Sequence, residues 1–496
     1  MMPLLALALG LVCSLGFAPF SLWPLMLLAI AGFFWLLQRS RRPLLIAWLF
    51  GVGKYGLGAS WVYVSIHVYG NAPAPLAAAL VCLFVLAIAL FCMPIGWLFQ
   101  RLAGGAPGTT RSVLAFAVAW SLMDWLLTWF LTGFPWLFPG FALIDTWAAV
   151  LAPLVGVLGL SFLCVLTMAA LTSLTLQRRW QWGPGLLVLG PLLVVLILQP
   201  IEWVQPTETK QVALIQNNLD QKRKWLPAER AVNLRKNLTL SEPHWGVDLM
   251  LWPEAAITAH PEHVPQLLEQ LQQRAQQSNT NLVVGIPGVR PLPDGNYELQ
   301  NLALGLGVAS GRFAKHHLVP FGDYVPLENQ LRGLIDFFDL PMSHASPGGR
   351  DQRNLRLSFA EAAMAICYEV AYGESMRRYA SSAGLLLTIS NDTWFGASVG
   401  PHQHLQIARM RALENGRGLL RATQNGITAI VDHHGAEVAR LPQFVGAALR
   451  GEIQLTEGRT PYNRLGDWPL LVILAVLLLT LWMTRSRMVS AASDSS

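Results

Sequence analysis

Apolar runs dominate the first two hundred residues and return once near the end of the chain. A membrane-spanning helix needs about 20 apolar residues. Seven runs before residue 205 qualify: 3–20, 22–38, 44–66, 74–100, 112–132, 146–177 and 184–204. An eighth spans Trp468 to Met483. The first is short, and the sixth is long enough to tilt or to break near Pro153 and Gly156. Trp23, Trp61, Tyr63, Trp136, Trp180 and Trp203 lie near run ends, where amphipathic rings suit a membrane interface, although a Trp in an apolar run also packs. The first run follows Met1-Met2-Pro3 with no basic stretch and no small-residue cleavage site, so it reads as a retained helix.

Between the seventh and eighth runs the pattern changes. Short β-like runs alternate with helical stretches, which predicts an α/β domain. Strands are expected at 211–215, 248–252, 281–286 (ended by Pro287-Gly288), 302–307, 362–367, 385–390, 427–431 and 447–453. Helices are expected at 262–277 and 404–420, and the Gly- and Pro-rich tracts 287–296 and 341–350 read as surface loops. The domains are therefore 1–204 (seven transmembrane helices), 205–466 (the α/β domain) and 467–496 (last helix and tail).

Composition agrees. The chain is 53% hydrophobic and only 13% charged, where soluble proteins carry about 25% charged residues. The net charge of +6 is modest and is not gathered into a stripe, which excludes a nucleic-acid partner. The basic residues instead report topology. Arg39, Arg41 and Arg42, then Arg101 and Arg111, then Arg178 and Arg179, then Arg485 and Arg487 follow the second, fourth, sixth and eighth runs, and the alternate loops around Val68–Pro73 and Gly133–Ile144 carry no basic residue. The positive-inside rule puts these clusters and both termini in the cytoplasm. The α/β domain then lies on the outer side. Four of the five cysteines sit in apolar runs, and Cys367 alone lies in the polar domain. No pair has metal-ligand spacing, and no disulfide framework is visible.

Three stretches carry candidate chemistry. Ala363–Glu369 reads as a buried strand ending on a thiol, followed by a polar turn and a helix. A cysteine nucleophile acts as thiolate and needs a base or a cation, whereas a lone buried Cys more often only packs. Leu249–Glu254 is an apolar strand that ends in Pro253-Glu254. A carboxylate there is either a base or a helix-start residue. In Lys315–Pro326, Lys315 can stabilise an oxyanion, and Asp323 can hold that lysine or serve as a turn residue. His316/His317, His402/His404 and His433/His434 invite a metal reading, but no carboxylate or thiol completes a set, so no metal is expected.

Glu254, Lys315 and Cys367, in that order and each at or just past the end of an expected strand, resemble the catalytic set of the nitrilase (carbon-nitrogen hydrolase) superfamily. The stretches Ser390–Gly396, Gly400–His404 and Arg409–Asn415, with Lys315–Pro326 and Ile366–Glu369, are similar to its bacterial apolipoprotein N-acyltransferase branch. The resemblance spans essentially the whole chain. It implies a multi-pass α-helical membrane domain of eight helices joined to an αββα sandwich. It implies Glu254 as general base, Lys315 as oxyanion-stabilising cation and Cys367 as acyl-accepting nucleophile. Asp323 and Glu369 become supporting carboxylates, and Trp225, Tyr368 and Trp394 become aromatics at the site or the lipid entrance. Where this chain has Asp323 the family often has Glu, one methylene longer.

The resemblance further implies acyl transfer from a phospholipid, such as phosphatidylethanolamine, to a diacylglyceryl apolipoprotein. The enzyme would be a monomer in the bacterial inner membrane, without cofactor, and its catalytic domain would be periplasmic. Phe337–Met342 is the candidate lid. The alternative is a membrane-bound amidase acting on a small amide. A transporter would need ionisable residues among the helices, and Lys54, Asp124 and Asp145 are the few available.

Overall fold

The computed structural model describes residues 1–104, 107–177, 182–293, 295–326 and 344–493, with side chains omitted at 176–177 and 486–493. The expected lid Phe337–Met342 and Trp180 lie outside the described residues. The chain forms two compact units. One comprises Met1–Ser60, Ala78–Glu202 and Arg464–Ser496, and the other comprises Trp61–Ala77 and Trp203–Asn463.

The first unit is helical, and a helix occupies each expected apolar run. Among the described residues three helical segments are long and apolar enough to cross a membrane: Ala74–Leu102, Trp147–Thr175 and Trp468–Arg485. Met2–Ser14, Trp23–Arg39, Pro43–Gly58 and Trp182–Leu198 are shorter apolar helices. The sixth run breaks where expected, with Gly156 non-helical (φ 66°, ψ 179°) inside Ala152–Gln177. Met2–Ser14 packs on Pro43–Gly58 through glycines. A Cβ on Gly10 would fall 2.1 Å from the Phe50 carbonyl, and one on Gly53 would fall 2.2 Å from that of Leu7. Such close backbone approach lets the two helices pack tightly. The third helix ends at Gly58, short of the expected 66. The chain beyond it, Trp61–Ala77, belongs with the second unit.

The second unit contains two six-stranded sheets among the described residues. The strands are β1 (Val204–Gln216), β2 (Leu249–Leu251), β3 (Asn281–Pro291), β4 (Tyr297–Gly307), β5 (Arg312–Ala314), β6 (Leu355–Arg356), β7 (Glu361–Ile366), β8 (Leu385–Ser390), β9 (Leu419–Thr423), β10 (Ala429–Val431), β11 (Glu437–Arg440) and β12 (Ala447–Gly458). One sheet has the order β12-β1-β2-β3-β4-β5 and the other β11-β10-β9-β8-β7-β6. The sheets face each other, and Gln216 Oε1 accepts from Thr423 Oγ1 and from the Thr428 amide across the gap. Helices Arg230–Ser241 and Pro265–Gln277 cover the first sheet, over a core of Ile215, Met250, Trp252, Leu271, Val284 and Leu302. Helices Gly373–Ala380 and Gly400–Asn415 cover the second. This is an αββα sandwich.

Two expected boundaries move. β3 runs through Pro287 to Pro291 and pairs residue for residue with β4. Its neighbour β2 reaches only Val283, so Pro287 sits where the other edge of β3 has no strand partner and a missing N–H is tolerated. The helix expected to reach 420 ends at Asn415, because Gly416 turns left-handed (φ 61°). Leu419–Thr423 then becomes the inner strand β9, since a short apolar run fits either period.

Candidate active site

β1, β2 and β3 run parallel, and two antiparallel steps bring β5 into the same direction. In the facing sheet β7 and β8 are parallel. Glu254 follows β2, Lys315 follows β5, Cys367 follows β7 and Asn391 follows β8, so functional side chains gather at carboxyl strand ends.

Glu254 is buried, 6% exposed. Its Oε1 accepts from Asn301 Nδ2 at 2.6 Å, and its Oε2 accepts from the Asn391 amide at 2.7 Å. Its turn is fixed from three sides. Trp252 Nε1 donates to Ser241 Oγ, Asn237 Nδ2 donates to the Ala256 carbonyl, and Lys224 Nζ lies 3.3 Å from the Glu254 carbonyl. Gly285 closes the fourth side. A Cβ there would lie 2.3 Å from the Pro253 oxygen and 2.8 Å from Glu254 Cα. Gly285→Ala is therefore expected to push the Glu254 turn aside, lowering activity about 100-fold and stability by about 1–3 kcal/mol. Activity assays and thermal unfolding of the purified variant check this.

Lys315 is 2% exposed. Its Nζ lies 2.6 Å from Asp323 Oδ2 and 3.8 Å from Glu254 Oε1. Burial works against its charge, but Asp323 and Glu254 outweigh burial and hold the ammonium above the usual lysine range. Asp323 Oδ2 also accepts from the Val319 amide at 2.8 Å, which ties the lysine's partner to its own loop. The shorter Asp thus reaches Lys315 directly. Asp323→Asn leaves a buried ammonium with one carboxylate. Stability is expected to fall on the order of 3 kcal/mol, measured by thermal unfolding, and activity to fall with it.

Cys367 opens a 3-10 turn, Cys367–Ala371, after β7 and adopts φ +57°. Its thiol is under the electrostatic influence of both Glu254 and Lys315. Burial, reinforced by Glu254 and opposed by Lys315, pushes the thiol up to about 12. The resting site therefore holds a thiol, and a role as nucleophile would require a base to take its proton. Glu369 clamps this turn to the lysine loop. Its Oε2 accepts from the Ile366 amide, and its Oε1 accepts from the amides of His316 and His317, at 2.7–3.0 Å. Burial moves its carboxyl up to about 7, against the pull of those amides and of Lys315.

The structure thus brings Glu254, Lys315, Asp323, Cys367 and Glu369 together. The aromatics divide. Tyr368 is buried edge-on to Tyr372 at 5.5 Å, and Tyr372 stacks on His317 at 3.8 Å. Trp225 is half-buried, with Lys224 Nζ 5.6 Å from its ring centre. Trp394 packs edge-on to Tyr69, and its carbonyl accepts from Ser65 Oγ at 2.8 Å. Residues 61–77 therefore buttress the loop that carries Asn391. Asn301, Asn391 and Lys224 hold Glu254 without having been singled out in sequence. Asn391 alone lay in a quoted motif, next to Asp392.

Two family models match. The apolipoprotein N-acyltransferase N-terminal domain matches residues 9–171, and the carbon-nitrogen hydrolase model matches residues 211–460. The apolipoprotein N-acyltransferase of Photobacterium profundum is 41% identical over 486 residues, covering 94% of this chain and 92% of that protein. That of Azotobacter vinelandii is 43% identical over 497 residues, covering 99% and 96%. A Pseudomonas aeruginosa protein of the same name is 41% identical over 484 residues, covering 96% and 94%.

Proposed function

Because the chain belongs to the apolipoprotein N-acyltransferase family, we propose that it moves an acyl chain from a phospholipid to an apolipoprotein through a thioester on Cys367. The acceptor is the free α-amine of a diacylglyceryl-cysteine at the start of that apolipoprotein. The observation that carries this reading is the buried Glu254–Lys315–Asp323 set beside the left-handed turn at Cys367.

In the first half-reaction, Glu254 takes the thiol proton as Sγ attacks the ester carbonyl. Lys315 offsets the charge on the carbonyl oxygen. The C–O bond breaks, Glu254 returns the proton to the leaving oxygen, and a lysophospholipid departs. In the second, the amine attacks the thioester, Glu254 receives an amine proton, and the C–S bond breaks. The proton then passes to the departing sulfur. Splitting the transfer in two makes the kinetics ping-pong. The donor we favour is phosphatidylethanolamine.

Eight helices would hold the enzyme as a monomer in the bacterial inner membrane, with both termini cytoplasmic and residues 205–466 periplasmic. The helix found in each apolar run and the alternation of basic clusters support this arrangement. Substrates anchored in the same leaflet then meet the site in two dimensions. The amidase alternative has no use for so extensive a helical region.

The test is intact-mass measurement of the purified protein. With phosphatidylethanolamine alone it should gain one acyl chain. Adding a diacylglyceryl lipopeptide should return the enzyme to its starting mass and acylate the peptide. Peptide acylation without any acyl-enzyme, at any time point, would sink the covalent route.

A further inference from the structure

Beneath the nucleophile lies a second set of buried charges that the steps above leave unused. Asp392, His404 and Arg421 are each at most 1% exposed. Asp392 follows β8, His404 lies in the first turns of the helix Gly400–Asn415, and Arg421 is central in β9. Arg421 Nη2 donates to Asp392 Oδ2 at 2.6 Å, and Ser390 Oγ donates to Asp392 Oδ1 at 2.6 Å. His404 Nδ1 lies 3.0 Å from both Asp392 Oδ1 and Arg421 Nη2. The other ring nitrogen, Nε2, lies 3.1 Å from the carbonyl oxygen of Cys367.

These contacts fix the state of the imidazole. A carbonyl oxygen only accepts, so Nε2 carries a proton. Burial and the neighbouring Arg421 both disfavour the charged ring. Nδ1 is therefore bare, and it accepts from Arg421. The two protons of Arg421 Nη2 serve Asp392 and His404 together, which explains how two acceptors sit so close. Burial alone would raise the Asp392 carboxyl, but the Arg421 guanidinium, with the Ser390 hydroxyl, holds it below the usual range.

Cys367 occupies a left-handed conformation that side chains disfavour. Glu369 holds the amide side of that turn through Ile366, and His404 meets its carbonyl side. We propose that His404 is a positioning residue for the nucleophile: its Nε2–H holds the Cys367 carbonyl and so keeps the left-handed turn that presents Sγ to Glu254 and Lys315. Asp392 and Arg421 serve to orient and neutralise that ring. The inference rests on Cys367 being the nucleophile.

The experiment compares His404→Gln, His404→Leu and His404→Asn with wild type and Cys367→Ala. Acyl-enzyme formation is followed by intact mass across a range of phospholipid concentrations, with thermal unfolding as the check on folding. Gln places an amide nitrogen close to the position of Nε2, whereas Leu lacks a donor and the Asn amide falls short. Leu and Asn are expected to lower the maximal acylation rate about 100-fold, the cost of a misplaced reacting group, with the half-saturating lipid concentration unchanged. Gln should restore most of the rate. If Leu does not fold, Asn against Gln decides. A folded Leu or Asn variant acylating at the wild-type rate, a Gln variant as slow as Leu, or a loss confined to half-saturation overturns the proposal. In those cases wild type still acylates, so the nucleophile reading stands. Failure of wild type itself to acylate overturns both.

Discussion

Cys367→Ala is expected to abolish the acyl-enzyme and acyl transfer together. No other cysteine can substitute for it. Cys13, Cys92 and Cys164 are buried in the helical unit, and Cys82 lies in the apolar segment Ala74–Ala89. The loss should therefore be complete within detection, not partial. The fold should survive, since removing one sulfur at a turn leaves Glu369 bonded to Ile366, His316 and His317. Intact mass after incubation with phospholipid, with thermal unfolding alongside, gives the answer. A wild-type mass gain in Cys367→Ala would move the nucleophile elsewhere.

Glu254→Gln is expected to have the next largest effect. The substitution keeps the shape of the side chain but removes the base, and a positioned base contributes about 10²–10⁴-fold. Burial, the largest cause of the raised Cys367 thiol, remains in the variant, so the thiol still needs a base. The amide also cannot accept at both ends. Asn301 Nδ2 and the Asn391 amide both donate to Glu254, so the new NH₂ must face one donor. Lys315 loses one of its two carboxylates as well. Quenched time courses of acyl-enzyme formation should show a rate lower by about 10²–10⁴-fold with lipid affinity retained. A loss smaller than tenfold would remove Glu254 from the role of base.

Much of this site could be read from residue order. Glu254 and Cys367 each follow an apolar run that ends at a polar side chain, as a strand end does, whereas Lys315 follows only Phe313-Ala314 and was legible through the stretch Lys315–Pro326. The eight apolar runs, and the break at Gly156, were legible for the same reason: apolar length and glycine act locally. What could not be read depends on pairing between distant segments. Asn301 lies within β4, Asn391 acts through its backbone amide, and Lys224 lies on a loop beyond β1. None has a local signal, and their value comes only from facing Glu254. His404 was readable as a histidine beside His402, but not as the partner of a carbonyl 37 residues away. Residues 61–66 and 74–77 read as parts of apolar helices because their composition is apolar. Trp61 packs on Phe395 and Tyr69 on Trp394.

The base and its cation are carried by one sheet, and the thiol by the other. Glu254 and Lys315 hang from β2 and β5, Cys367 and Asn391 from β7 and β8. Side-chain hydrogen bonds, not strand pairing, stitch the halves at the reacting end: Asn391 to Glu254 and Gln221, Glu369 to the lysine loop, His317 to Ser375 and Lys224 to Gln424. The enzyme is therefore a gauge of its own alignment. A slip of one layer against the other by a fraction of an ångström breaks no strand pairing and exposes no core, so spectroscopic measures of folding would not register it. Acyl transfer would register it at once. Mild denaturant, heat or an ill-matched detergent should silence this protein well before melting it.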